Sequence, residues 1–225
     1  MNKVEEIEPI FSIPIGSFHI NITLSLIVQW IIMIIVGVLL LWLASNLKKV
    51  PGKKQTVAEM FYKTIKGVVT SNMGNSYESY VPIFGTLAVF LLLMNFTGLI
   101  GITPPTKDYS VCLGLALCSF LMIHANAIKK MGFGHYLLGY GKPFIPMLPI
   151  NIMERAVFPA TLSLRLFGNV LAGTVILDLI YKNMGHFAVG VPIIGHLYFD
   201  LFDGGIQMVV FLMLTMINIK LLPEH

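Results

Sequence analysis

The chain has 225 residues, of which 56% are hydrophobic and only 12% are charged, and its formal net charge is +4. Soluble domains carry roughly 25% charged residues, so this composition excludes a soluble globular protein, a disordered chain and a disulfide scaffold. What remains is an integral membrane protein, in which a modest positive charge reflects lysine in inner loops, and we expect no nucleic-acid partner.

Five apolar segments are long enough to cross a bilayer as helices, which takes about 20 residues each. Their apolar runs are continuous and do not alternate, so a transmembrane β-barrel is not expected. Between the first two segments, a more polar stretch predicts an amphipathic helix at the interface, with a plain cytoplasmic helix as the alternative. The fold class is therefore all-α integral membrane, as a single polytopic domain over residues 1–225. The predicted spans are residues 23–47, 80–100, 110–128, 151–182 and 188–222, and the interfacial helix is residues 57–73.

Lysine residues are concentrated in the loops on one side of the predicted spans. Four of them surround a Pro-Gly turn in LKKVPGKKQT after the first span, and Lys129 and Lys130 follow the third. The opposite loops carry only Lys3, Lys107 and Lys182. Because positively charged loops remain in the cytoplasm, we expect the amino terminus outside and the carboxyl terminus inside.

The last two segments are longer than a bilayer requires. Residues 156–181 would extend about 39 Å as a helix and residues 188–221 about 51 Å, against a hydrocarbon core of about 30 Å. Straight helices of these lengths would tilt by roughly 40° and 55°, well beyond the usual average of about 20°. Pro192 and Gly204 could break the last one instead. A steep tilt and a broken helix are both unusual in a small membrane protein, so either one indicates a functional role for the last two segments.

A single arginine lies near the middle of the fourth segment, within SLRLFGNVLAG. Arg165 stays charged at physiological pH, and burying it at the bilayer centre costs about 2.5 to 3.5 kcal/mol on insertion scales. At about 100° per residue it shares a helix face with Asn169, whereas Thr174, Asp178 and Tyr181 fall on roughly the opposite face. The arginine therefore indicates an ion pathway or a partner carboxylate, with pairing inside the bundle as the alternative.

The last segment carries a second row of polar residues. His196, Asp200, Asp203 and Gln207 recur at helical spacing, and they predict a hydrated ion path that Asp178 could face from the neighbouring segment. The alternative is that the histidine and the aspartates are ordinary residues at a water interface. The sequence has no Walker, dinucleotide-binding, GxSxG or HExxH motif, so we expect no ATP chemistry, cofactor or metal in this chain itself.

These residues resemble subunit a of the F-type ATP synthase, the stationary membrane subunit beside the rotating c-ring. The resemblance covers nearly the whole chain and is carried most specifically by SLRLFGNVLAG with Pro159 upstream. The segments LKKVPGKKQT, NFTGLIGITPPT and QMVVFLMLTMI are also similar to family patterns. The resemblance implies a multi-pass protein of the bacterial plasma membrane, in contact with the c-ring, the peripheral-stalk subunit b and the lipid bilayer. It also implies that H⁺ or Na⁺ flow is coupled to ring rotation and ATP synthesis.

The resemblance assigns roles residue by residue. Arg165 matches the essential arginine that faces the ring carboxylates, and Asn169 matches the asparagine one turn further on. Gln207 matches the glutamine of the last helix, which lies near the arginine. Asp200 occupies a position where relatives carry glutamate or histidine, and many relatives carry glutamate where this chain has Thr174.

The outer half-channel is therefore expected to depart from the family pattern. Asp178, one turn after Thr174, would replace the usual glutamate, Asp203 adds a carboxylate, and His196 would lie at the mouth. A stand-alone secondary transporter or channel is the main alternative, but the chain lacks the inverted repeats typical of transporters. A purely structural scaffold would not explain two rows of polar residues in apolar helices.

Overall fold

The computed structural model describes residues 11–15, 18–45, 52–134, 136, 146, 148–184 and 190–222. Within these residues, five helices are long and apolar enough to cross a membrane, which confirms the predicted all-α membrane fold and its five spans. Residues 46–49, 142 and 188–189, which contributed to the predicted span ends and to the orientation, lie outside the described residues.

The helices agree closely with the predicted segments. Each begins or ends within a few residues of its expected bounds, and the amphipathic helix starts four residues earlier than expected. The bounds are α1 Leu24–Ala44, α2 Lys53–Met73, α3 Val81–Phe96, α4 Tyr109–Met131, α5 Leu148–Met184 and α6 Val191–Leu221. Short 3₁₀ turns, Asn75–Tyr80 and Thr97–Ile100, lengthen α3 at both ends.

A short β-hairpin precedes α1, and the sequence analysis assigned no strand there. Strands β1 (Phe11–Ile15) and β2 (Phe18–Ile22) pair antiparallel, with Ile15 opposite Phe18. The signal is present in the sequence, because apolar residues alternate through FSIPI and FHINI and a Gly-Ser pair separates the two runs. Alternation around two turn-forming residues is typical of a hairpin.

The ends of α4 illustrate how local sequence fixes the helix boundaries. Asp108 caps the first turn, since its Oδ1 accepts a hydrogen bond from the Ser110 N–H at 3.0 Å. The same carboxylate accepts a bond from the Thr23 hydroxyl at 3.2 Å, which ties α4 to the start of α1. Gly132 ends the helix with φ of +78°, a conformation that favours glycine.

Two clusters of buried apolar side chains hold the bundle together. One joins α1, α3, α4, α5 and α6 around Leu91, Leu166 and Phe211, and the other joins α2, α3, α4 and α6 around Phe84 and Met216. All five side chains are at most 1% exposed. Because lipid is as apolar as these residues, close packing rather than exclusion of water stabilises such contacts inside a membrane.

The last two helices are both longer than a bilayer requires, as the sequence predicts, although α5 is longer than expected and α6 slightly shorter. α5 has 37 residues and α6 has 31, which correspond to about 55 Å and 46 Å of helix. α5 is continuous through Pro159. α6 is not broken at Pro192 or Gly204; instead its winding changes to a π-helix over Leu197–Asp203. Pro192 is tolerated because it lies in the first turn, where its missing N–H has no helical partner.

Candidate functional site

The helices α5 and α6 are antiparallel and contact each other along one row of α5 residues. The row consists of Asn169, Gly173, Leu177 and Tyr181. A Cβ on Gly173 would lie 3.2 Å from the Cβ of Phe199, and a Cβ on Gly195 would lie 2.7 Å from a methyl carbon of Leu177. The two glycines therefore allow the helices to approach closely.

This row joins Asn169 and Tyr181, which the helical wheel places on different faces of α5. Residues four apart advance by about 400°, so the row turns by about 40° at each step around the helix. Both residues therefore reach α6, although they are far apart on a helical wheel. The contact follows the spiral of the helix rather than a single face.

Asn169 and Gln207 form the polar centre of the interface. The Asn169 Nδ2 donates a hydrogen bond to the Gln207 Oε1 at 2.9 Å. Gln207 is 3% exposed, and its Nε2 has no hydrogen-bond partner among the described residues. The structure thus brings together two of the predicted site residues and leaves a buried donor available to a ligand or a water molecule.

Arg165 lies one turn before Asn169 and points away from the bundle. Its side chain is exposed, and it has no hydrogen bond or ion pair with any residue that the structure describes. Its neighbours Leu162 and Leu166 are buried in the core. The alternative of an arginine paired inside the bundle is therefore not observed in the described part of the chain. An arginine in an apolar span is costly unless it meets water or an opposite charge, and the described residues supply no opposite charge.

A small polar cavity adjoins the amide pair where α3, α5 and α6 meet. It offers about 20 Å³ to the centre of a water molecule, and roughly 10 to 15 Å³ is enough to hold one. Five polar side chains line it. They are Asn95, Asn169, Asp200, Asp203 and Gln207. The cavity thus brings Asn169 of α5 together with three of the polar residues predicted on the last segment.

A chain of hydrogen-bonded side chains leads from the exposed end of α5 to this cavity. The Tyr181 Oη and the His196 Nε2 are 3.0 Å apart, and the His196 Nδ1 and the Asp200 Oδ2 are 2.6 Å apart. Exposure of the side chain falls along the chain, from Tyr181 at the surface to His196 at 28% and Asp200 at 11%. The arrangement can pass a proton inward, because each group both accepts and donates in one of its protonation states.

The π-helical segment of α6 carries both carboxylates of the cavity. Both Asp200 and Asp203 belong to the segment Leu197–Asp203, and Asp200 lies directly against Gly98 of the turn that follows α3. A Cβ on Gly98 would be 2.6 Å from the carboxyl carbon of Asp200. Sequence analysis missed both Gly98 and Asn95, although both lie within NFTGLIGITPPT.

Besides Arg165 and His196, two further predicted site residues do not line the cavity. Asp178 is exposed and has no hydrogen bond or ion pair with the described residues, and it does not contribute to the cavity lining. Thr174 donates its hydroxyl hydrogen bond to the Leu171 carbonyl of its own helix at 2.9 Å. The suggested replacement of the family's glutamate by Asp178 therefore stays a prediction.

Comparisons with known proteins identify relatives of this chain over most of its length. The family described as ATP synthase A chain matches residues 26–220. "ATP synthase subunit a, sodium ion specific" of Propionigenium modestum is 34% identical over 91% of this chain and 75% of the relative. "ATP synthase subunit a" of Desulforamulus reducens is 34% identical over 89% of this chain and 79% of the relative. "ATP synthase subunit a" of Staphylococcus carnosus is 32% identical over 89% of this chain and 91% of the relative. The chain therefore belongs to the ATP synthase A chain family, the ion-translocating subunit a of the F-type ATP synthase membrane sector.

Proposed function

We propose that Arg165 is the fixed charge past which the carboxylates of a rotating c-ring move. The observation that carries this proposal is the exposed guanidinium in the middle of an apolar helix, without a partner in the described chain. Such a charge is stable only beside a counter-charge, and a ring of carboxylates in the same membrane plane supplies one.

The arginine acts on the ring by electrostatics. A positive charge close to a carboxylate stabilises its ionised form and lowers its pKa, so each ring carboxylate that reaches Arg165 releases its ion. The same charge repels a cation that would cross directly between two half-channels. Ion flow therefore requires rotation, which couples transport to ATP synthesis.

The polar residues of α6 form the outer half-channel in this proposal. The ion enters near Tyr181 and His196, passes the carboxylates of Asp200 and Asp203, and reaches the amides of Asn169 and Gln207 beside the arginine. Carboxylates so close together titrate as a coupled set, so separate roles in loading are not assigned. The transported ion is H⁺ or Na⁺, and the sodium-specific relative makes Na⁺ a concrete candidate.

In this proposal Asp178 lies at the outer mouth, one turn beyond Thr174. Its exposed position suits a group that collects cations from the aqueous side. The amphipathic helix α2 lies along the inner interface, and its exposed apolar residues, such as Val57 and Met60, face lipid or the peripheral-stalk subunit b.

Replacement of the arginine tests this function directly. In the intact synthase, Arg165→Ala is expected to abolish ion-coupled ATP synthesis while the complex still assembles, because the side chain makes no contact that the described bundle needs. Arg165→Lys is also expected to fail, since an ammonium is more compact and more strongly hydrated than a guanidinium. Normal coupled synthesis in an assembled Arg165→Ala complex would contradict the proposal.

Purification separates this function from that of a stand-alone transporter. Extraction in mild detergent with a tag on this chain is expected to co-isolate a c-ring and a soluble ATPase. Isolation of a chain that transports ions alone in liposomes would favour the transporter instead.

The proposed orientation has the amino terminus outside and the carboxyl terminus in the cytoplasm. It predicts that a membrane-impermeant maleimide added to intact cells labels Lys107→Cys and spares Lys53→Cys. Lys53 is the first residue of the amphipathic helix α2 and Lys107 lies in the turn between α3 and α4, so both are outside the apolar spans. The reverse labelling pattern would invert the topology.

A further inference from the structure

The buried amide of Asn95 points to a ligand in the polar cavity. Asn95 lies in the last turn of α3, is 3% exposed, and donates its Nδ2 hydrogen to the Gly204 carbonyl at 2.9 Å. This bond fixes the orientation of the amide, because the reverse orientation would bring two carbonyl oxygens together. The Oδ1 is then left without a hydrogen-bond partner, in a residue that lines the cavity. A buried acceptor without a partner is costly unless a ligand or water satisfies it.

The remaining oxygens of the cavity belong to carboxylates. The Asp200 Oδ2 is engaged by His196, and Asp203 has no hydrogen bond or ion pair with the described residues. No side chain that the structure describes pairs with Asp203, so its oxygens are available to a ligand. Carboxylate and carbonyl oxygens are the donors that hard cations prefer.

We infer that the cavity binds Na⁺ through oxygens of Asn95, Asp200 and Asp203, as a station that the ion occupies before it reaches the ring. This inference rests on the proposed function. A water molecule alone would satisfy the Asn95 Oδ1 but would leave the carboxylate charge uncompensated. Divalent cations require about six or more ligands and would be held too firmly for a transport path.

The test uses the intact synthase in liposomes, with ATP-driven uptake of radioactive Na⁺ measured against NaCl concentration at constant ionic strength in choline chloride. The wild-type complex is expected to take up Na⁺ in a saturable manner. Asn95→Leu is expected to raise the half-saturating Na⁺ concentration about tenfold, the cost of one lost charge-assisted contact. Because the ring is identical in all complexes, the change reports the cavity and not the ring's own ion site.

Asn126→Leu is the matched control. Asn126 is also a buried amide, but both its polar atoms are bonded within the chain, to the Tyr80 hydroxyl and the Ile219 carbonyl. This variant is expected to lower the amount of assembled complex and to leave the half-saturating Na⁺ concentration unchanged.

Two results would overturn the Na⁺ station. One is a wild-type complex that pumps protons and shows no Na⁺ uptake, and the other is an Asn95→Leu complex with the wild-type half-saturation. Neither result contradicts the proposed function. That function is tested separately by the Arg165 variants, whose ATP synthesis can be measured with either ion. If Asn95→Leu does not assemble, Asp203→Asn replaces it, since that change keeps the shape, removes one charge and carries the same expectation.

Discussion

The two long helices are alike in length and apolar character but differ in how regularly they are wound. α5 is one continuous α-helix, and it presents Arg165 outward without a partner in the described chain. α6 changes to π-helical winding over Leu197–Asp203, and it turns its carboxylates inward to a cavity. In the proposed function, the charge that faces the ring therefore lies on a regular α-helix, whereas both carboxylates of the polar path lie on a π-helical segment.

The π turn has a physical consequence for the path. The Gly204 N–H bonds to the Phe199 carbonyl five residues back, so the turn holds one residue more than an α turn. The side chains that follow are rotated relative to a regular helix. Asp200 lies against Gly98, while Asp203 and Gln207 both line the same cavity. π turns occur frequently at functional sites, and here one carries both carboxylates of the cavity.

Among substitutions that compare α5 with α6, Asp200→Asn in α6 is expected to lower ion transport the most. Removal of the buried carboxylate should lower ATP-driven ion transport at least about tenfold, because groups that carry protons contribute factors of this size or more. Asp178→Asn, on the exposed side of α5, should have a smaller effect, and the double variant a larger one. Transport by assembled complexes in liposomes is the measurement.

The same experiment tests the departure at Thr174. Thr174→Glu in the double variant is expected to recover part of the transport, since it restores a carboxylate beside the path. If the double variant assembles normally and pumps at the wild-type rate, the two aspartates are ordinary residues at a water interface and do not carry the ion.

A smaller effect is expected from Gly98→Ala. The new Cβ would lie 2.6 Å from the Asp200 carboxyl carbon, so the flexible carboxylate must move while the backbone stays in place. We expect transport to fall about threefold to tenfold, as for a displaced reacting group, with little change in the amount of complex. Gly114→Ala, where a Cβ meets nothing within 4 Å, is the matched control and should transport normally. Equal transport by the two variants would contradict a positioning role for Gly98.

The contrast between α5 and α6 also explains how much could be predicted from the sequence. Apolar runs and the cost of a charge in lipid are local properties, so the five spans and the candidate role of Arg165 follow from composition and position. Helical-wheel arguments were less reliable. They separated Asn169 from Tyr181, because the contact between the helices spirals around α5, and they could not anticipate the π turn in α6.

Other features could not be predicted from the sequence because they depend on tertiary contacts. Asn95 carries no charge and lies at the end of a span, where a polar residue is ordinary. Its unpartnered oxygen appears only once α3 packs against Gly204. Gly98 is similarly unremarkable in sequence, since its role comes from the carboxylate of another helix. Asp178, by contrast, could be identified as a candidate from its charge alone, but a charge does not predict which side chains surround it.

The smallest effect is expected from Tyr181→Phe, which removes only the hydroxyl that contacts the His196 Nε2 at 3.0 Å. Water can replace this exposed partner, so transport should fall only about twofold to threefold, less than a full hydrogen bond would give. Tyr198→Phe is the control, because the Tyr198 hydroxyl has no bond with the described residues and its ring lies on the same helix as His196. If the transport rate falls in Tyr181→Phe but not in Tyr198→Phe, the path begins at the contact between Tyr181 of α5 and His196 of α6. Identical rates in both variants would confine the path to the carboxylates of α6, with α5 contributing only its arginine and the Asn169 amide.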